Sequence, residues 1–208
     1  MKTRTSPLFS ELTQTVSNLP AVSEARKKVL QPLVNYIQDK LKNNQAIHLN
    51  FICTHNSRRS HLSQVWAQTM AYHYKIPHVN TYSGGTEATA MNANVVTTLI
   101  ENGFQIQQLS KKPNPIYAVK YSENLPAIIG FSKKYDDAFN PTSAFCAIMT
   151  CSQADEGCPF IAGADTRVPV TYEDPKLFDG TSSEKEKYLE RSLQIAAEMQ
   201  YVFSSLLH

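Results

Sequence analysis

Apolar positions along this chain follow two different spacings. Leu8, Phe9, Leu12 and Val16 fall near a 3.6-residue repeat that Asn18-Leu19-Pro20 interrupts, and Val22, Val29, Leu33, Tyr36, Ile37 and Leu41 resume it. Residues 6–44 are therefore expected to be helical, with a kink where Pro32 removes a backbone donor. A short unbroken apolar run at 46–52 predicts a buried strand, and 60–74 returns to helical spacing. A second strand is expected at 79–83, ended by Gly84-Gly85, and a helix at 92–102 with Gly103 placed to cap it. Two strand-like runs, 116–121 and 127–132, flank Ser122-Glu123-Asn124 and predict a hairpin. Another buried strand is expected at 145–150. The clearest helix is 183–206, where Ser183 and Glu186 have capping-box spacing and Leu189, Leu193, Ala196, Met199, Phe203 and Leu206 form an apolar stripe. Strands alternating with helices predict an α/β fold with a parallel sheet.

Composition narrows the function classes. At 208 residues and 42% hydrophobic, the chain can bury one substantial core. A net charge of +2, with no run of like charge, predicts no nucleic-acid or membrane partner. The opening MKTRTSPLFSELTQ lacks the apolar stretch of a secretory signal, and no segment is apolar enough to span a bilayer, so a cytoplasmic location is expected. Four cysteines in this length do not make a disulfide scaffold; they point instead to catalysis, redox chemistry or metal.

The stretch FICTHNSRRSHLSQVW carries the strongest chemical signal. An apolar strand ends on Cys53, a short polar loop follows, and Arg59 and Ser60 open a helix. Ligands of open parallel sheets bind at the carboxyl ends of strands. A loop curling into a helix N-terminus directs several N–H groups and the helix dipole at one point. The Arg59 guanidinium adds a fork matched to two oxygens of a tetrahedral oxyanion. Such positive surroundings favour thiolate over thiol, so the loop pairs an anion cradle with a nucleophile. Ser60 can hydrogen-bond the Cys53 sulfur, and Asn56 tolerates the left-handed backbone that a tight loop needs. The plainer alternative makes Cys53 a buried strand-end thiol and Arg59 a surface charge; the strand before, the Ser after Arg59 and the helix beyond all argue against it.

CTHNSRRS resembles the phosphate loop of the low-molecular-weight protein tyrosine phosphatase superfamily, which includes the thioredoxin-linked arsenate reductases. The resemblance implies that Cys53 is the nucleophile, that Arg59 binds the oxyanion, and that Asn56 and Ser60 shape the loop. The cradle then comprises Thr54, His55, Asn56, Ser57, Arg58, Arg59 and Ser60. TYSGGTEA at 81–88 resembles the superfamily's second strand and turn. TYEDPKLFDG at 171–180 resembles its late Asp-Pro loop, which implies that Asp174 is the general acid; spacing alone does not separate Asp174 from Glu173 or Asp179. Arg58 stands where many members carry a second loop cysteine. Lys176 and Leu177 follow Asp-Pro where the tyrosine phosphatases place aromatic walls, which weakens a phosphotyrosine pocket.

IMTCSQADEGCPF places Cys151 just past a predicted strand and Cys158 seven positions on, in a polar loop expected to be mobile and exposed. Two thiols beside a nucleophilic cysteine suggest a disulfide relay, and the spacing resembles the redox loop of the thioredoxin-linked arsenate reductases. A zinc half-site is the alternative, but Cys-x6-Cys is a poor spacing and no His lies close, so no metal or cofactor is expected. Cys146 is expected to be a buried small hydrophobe and Trp66 a core residue. His55 sits in the loop, whereas His61, His73 and His78 read as ordinary helix or turn residues.

The expected fold is a four-stranded parallel α/β sheet of the low-molecular-weight phosphatase type. An N-terminal helical extension at 1–45 precedes the main domain at 46–208, which carries an inserted hairpin near 114–140. The leading functional expectation is an arsenate reductase with a Cys53–Cys151–Cys158 relay, arsenate as substrate and thioredoxin as reductant. The alternatives are a phosphatase hydrolysing phosphomonoesters through a phosphocysteine, and a non-catalytic oxyanion-binding regulatory module.

Overall fold

The computed structural model describes residues 7–157 and 160–206. Its centre is a four-stranded sheet in the order β2-β1-β6-β7, with β1 at Ile47–Cys53, β2 at Val79–Gly85, β6 at Phe145–Met149 and β7 at Ala164–Pro169. All three pairings are parallel. The chain leaves β1 toward β2 on one side and later returns to β6 on the other. The carboxyl end of β1 is therefore the switch point at which such sheets bind ligands.

Among the described residues, six α-helices surround the sheet: α1 (Ser10–Ser17), α2 (Glu24–Lys42), α3 (Arg59–His73), α4 (Ala93–Glu101), α5 (Ser152–Gly157) and α6 (Glu184–Ser204). Side-chain alternation along β1 and β6 divides the core. Leu49, Phe51 and Ile148 pack with Leu33 and Ile37 of α2, Trp66 of α3, Leu99 of α4 and Ile195 of α6. Ile52, Ala147 and Met149 join a smaller cluster with Cys53, Cys151 and Ala154. Leu12 and Val16 of α1 also belong to the large cluster, so both N-terminal helices share the core of the sheet. α1 is seated closely enough that a Cβ on Gly103 would lie 2.3 Å from the Leu12 nitrogen. Gly103 also takes φ +99, the left-handed cap expected of it after α4.

α2 continues through Pro32, whose ring lies on the exposed face, where Lys28 is exposed as well. Several local expectations need correction. The Ser183 side chain makes no capping bond to α6; Glu184 reaches back instead to the Gly180 N–H, 2.7 Å away. The buried face of α6 runs through Tyr188, Ile195, Met199 and Phe203, leaving Leu189 and Leu193 half-buried. The hairpin forms as β4 (Tyr117–Lys120) against β5 (Ile128–Gly130), antiparallel, and β3 (Gln105–Gln108) pairs with β4 to make a separate three-stranded sheet. Neither β3 nor β7 shows in the apolar pattern.

β2 is the outer strand of the main sheet, and side-chain amides from α3 occupy its free edge. Gln64 Nε2 donates to the Thr81 carbonyl at 3.1 Å, Gln68 Nε2 donates to the Val79 carbonyl at 3.2 Å, and Gln68 Oε1 accepts from the Thr81 N–H at 3.1 Å. Among the described residues, no helix is long and apolar enough to cross a membrane.

Because α2 lies in the shared core, Leu33→Ala should lower unfolding free energy by about 2–5 kcal/mol, as for other fully buried leucines. Urea denaturation read by far-ultraviolet circular dichroism checks this; a loss below about 0.5 kcal/mol would show the helix to be loosely held.

Candidate active site

β1 ends on Cys53 and α3 begins at Arg59, so residues 54–58 form the loop between them. Asn56 turns the loop with φ +42, the left-handed conformation expected of it. The loop carbonyls are bonded from outside. Cys53 O accepts from Thr86 N (3.1 Å), Thr54 O from Glu87 N (2.8 Å) and Ser57 O from Asn92 N (3.0 Å). His55 O accepts from the hydroxyls of Ser132 (3.0 Å) and Thr89 (3.1 Å). In a trans peptide the N–H points opposite to its carbonyl, so the N–H groups of Thr54, His55, Asn56 and Arg58 turn away from these donors. A concavity of successive N–H groups at the head of a helix suits an anion.

The Cys53 sulfur lies 3.1 Å from Ser60 Oγ, which also accepts from Asn56 Nδ2 at 2.8 Å. Asn56 Oδ1 in turn accepts from the Lys133 N–H at 2.8 Å. Arg59 is 8% exposed; its Nη1 donates to the Tyr172 carbonyl (2.9 Å) and its Nη2 to Asp174 Oδ2 (2.7 Å). Arg59 and Asp174, 115 positions apart in sequence, are thus brought together at the mouth of the loop. Asp174 also caps the short 3-10 turn Pro175–Phe178 through the Lys176 N–H. Arg58 also reaches this carboxylate, with Nη1 3.9 Å from Asp174 Oδ1, while its Nε donates to the Tyr188 hydroxyl (2.9 Å), which donates to Asp179 (2.8 Å). Burial, with Asp179 accepting its proton, pushes the Tyr188 phenol up to about 12. His55 lies 3.8 Å from the Glu87 carboxylate at the loop's outer side.

Cys151 follows β6 and is 1% exposed, contrary to the exposure expected of it; α5 begins directly after it. Its sulfur lies 3.4 Å from the Thr54 hydroxyl and accepts from the Ala154 N–H at 3.4 Å. The second cysteine thus packs against the anion loop. Cys158 lies outside the described residues. Cys146 is fully buried in β6, and burial pushes its thiol up, as expected of an inert core residue.

Sequence reasoning passed over the groups that hold the loop from behind. Ser132 and Lys133 follow β5, so the hairpin region supports the loop. Lys133 is 2% exposed, with Nζ 4.4 Å from the Phe131 ring centre, and burial lowers it to about 8. His61, read from sequence as an ordinary helix residue, is fully buried with Nδ1 3.3 Å from Ser83 Oγ. Burial, and secondarily the Lys133 charge, lower it to about 3. A serine or lysine directly after a strand-like run was the one available signal, and it is too common to single these residues out.

No protein-family model matches the chain. A low-molecular-weight phosphotyrosine phosphatase from Vibrio cholerae O395 superposes with a TM-score of 0.50 at 11% identity, covering 76% of this chain and 95% of that one. The chain has the low-molecular-weight phosphatase fold. In sequence it is similar to the arsenate reductase of Bacillus subtilis strain 168, 28% identical over 142 residues, covering 68% of this chain and 83% of the relative. It is also 26% identical over 144 residues to the arsenate reductase of Bacillus licheniformis, with the same shares covered. The sequence likeness to two arsenate reductases supports a cysteine-dependent oxyanion enzyme built on this fold.

Gly85 ends β2 directly behind the loop. A Cβ there would lie 2.3 Å from Glu87 O, 2.6 Å from Asn56 N and 2.7 Å from Thr54 O, all backbone atoms. Gly85→Ala should therefore displace the loop, costing roughly 1–3 kcal/mol of stability and about tenfold in phosphate affinity. Calorimetric titration with phosphate, alongside thermal unfolding, measures both.

His61 sets an acid limit on stability. Its folded pKa lies below the unfolded value, so the unfolded chain binds the extra proton and stability falls as pH drops from about 6.5 toward about 3. The slope from this one group approaches about 1.4 kcal/mol per pH unit. His61→Gln should flatten this limb in urea melts between about pH 6.5 and pH 4; an unchanged slope would assign the acid sensitivity to other groups.

Proposed function

We propose that the chain is an arsenate reductase that uses Cys53, Cys151 and Cys158 as a thiol relay. The observation that carries this reading is the contact of Cys151 with Thr54, which sets a second thiol against the loop that ends the nucleophile's strand. In the proposed sequence the loop N–H groups and Arg59 bind arsenate, and the Cys53 thiolate attacks arsenic. Arsenate takes over the guanidinium fork, and Asp174, displaced from it, takes up a proton from solvent and delivers it to the departing hydroxyl, which leaves as water. The Cys151 thiolate then attacks the Cys53 sulfur. The sulfur–arsenic electron pair stays on arsenic, which leaves as arsenite, and a Cys53–Cys151 disulfide remains. Cys158 attacks Cys151 and frees Cys53, and a dithiol of the thioredoxin class reduces the Cys151–Cys158 disulfide. Two thiols supply the two electrons that arsenic gains.

A second reading is a phosphatase in which Cys53 attacks phosphorus, Asp174 protonates the leaving alcohol and water hydrolyses the phosphocysteine. One observation favours it: Cys151 is buried and held by Thr54 and Ala154, so a relay requires this thiol to be freed before any second exchange at it. Against a phosphotyrosine substrate, the residue two past Asp-Pro is Leu177, 77% exposed, with no ring to stack on an aryl group.

One preparation assayed with arsenate plus thioredoxin and its reductase, and separately with an aryl phosphate, separates the two. Under the relay, Cys151→Ser stops arsenite release, and Cys158→Ser allows about one turnover before stalling as a Cys53–Cys151 disulfide. Both variants keep any aryl phosphatase activity of the parent. Mass spectrometry of alkylated, arsenate-treated protein identifies the paired thiols. Parental arsenate reduction by both variants would discard the relay in favour of the phosphatase.

A further inference from the structure

Charged groups of α2 and α6 meet beneath the segment that carries Asp174. Arg26 of α2 lays its fork on Glu198 of α6, Nε to Oε1 at 2.8 Å and Nη2 to Oε2 at 2.7 Å. Its Nη1 donates to the Thr171 carbonyl at 3.3 Å. Glu198 also accepts from the Tyr172 hydroxyl at 2.9 Å and from Gln194 Nε2 at 3.0 Å. The Arg26 guanidinium stands 5.1 Å from the centre of the Tyr172 ring. From the opposite side, Arg59 holds the Tyr172 carbonyl and the Asp174 carboxylate. Two arginines thus grip consecutive carbonyls of one segment, Arg26 at Thr171 and Arg59 at Tyr172.

The two grips fare differently when an oxyanion arrives. The anion competes for the Arg59 fork, and the Asp174 carboxylate is released from it. The grip from α2 does not touch the anion and persists. Glu198 is 2% exposed and Tyr172 is buried, so loss of Arg26 leaves a carboxylate without its main charge partner, with water able to enter only from the side where Arg26 now lies, itself 25% exposed.

We propose that Arg26 is a positioning residue for the reaction: it fixes the backbone at Thr171 and Tyr172 and so keeps Asp174 within reach of the bound oxyanion after Arg59 has let it go. This rests on the reading of Asp174 as the general acid. It makes α2 a working part of the site, although Arg26 lies 27 positions before the nucleophile.

Hydrogen exchange followed by mass spectrometry, on the full chain with and without inorganic phosphate, tests this directly. In Arg26→Ala, amides at 170–178 should exchange about tenfold faster while β1 and β6 keep parental rates. On whichever substrate the parent turns over, kcat should fall about tenfold with KM within about twofold. Arg26→Lys, which keeps the charge and loses the fork, should fall between the two, and it replaces the alanine variant if that chain does not fold. Parental exchange at 170–178, equal acceleration throughout the sheet, or an unchanged kcat in an active parent would overturn the proposal. A parent that turned over neither arsenate nor an aryl phosphate would remove the functional reading, while the exchange pattern would still decide what Arg26 holds.

Discussion

The side-chain amide of Asn56 bonds at both ends, accepting from the Lys133 N–H and donating to Ser60 Oγ, which meets the Cys53 sulfur. Its own backbone is held left-handed, so the residue that bends the loop is also the residue that ties it down. The arrangement links three distant parts of the chain: the end of β1, the head of α3, and the segment leaving β5. A loop with its N–H groups gathered on one side is unfavourable by itself, because the groups do not satisfy one another. It persists here because the carbonyls behind it are bonded from Thr86, Glu87, Thr89, Asn92 and Ser132. The loop is thus ordered in advance, and an anion bound there, as proposed, need not bear the cost of ordering it.

What was legible in the sequence was local. Cys53, Asn56, Arg59 and Ser60 lie within eight residues, and the strand before them and helix after them have strong periods, so loop, turn and sulfur contact could all be read from residue types. What failed was of two kinds. β3 is QIQQ with three of its four residues exposed, and β7 is ADTRVP; neither carries an apolar run, because each takes its strand character from the neighbour it pairs with. The second kind concerns competition between close alternatives. Ser183 had the spacing of a cap, yet Glu184 satisfies the turn by reaching back to Gly180. The polar composition of 152–157 suggested an exposed loop, and most of the segment is exposed, yet it folds as a helical turn and Cys151 before it is buried.

The Asp174 segment shows why long-range support escaped detection. Asp-Pro can be found by resemblance, but the groups that hold it come from α2, α3 and α6, at positions 26, 59 and 198. None of these pairings has a sequence period, and an arginine on a half-buried helix ordinarily reads as a solvated charge. Only the fold shows that Arg26 reaches a backbone carbonyl and a buried carboxylate.

The two glutamines of α3 that lie along β2 bear on how this protein behaves at high concentration. An outer strand with free N–H and C=O groups is a template on which another chain can add a strand, the first step of edge-to-edge aggregation. Gln64 and Gln68 fill that template at Val79 and Thr81 from within the same molecule. An incoming strand would have to evict both amides at Val79 and Thr81, and at Gly85 the edge is already bonded to Lys133 and Tyr135. The sheet is thereby closed to growth on the β2 side without a proline, a bulge or a charged side chain on the strand itself.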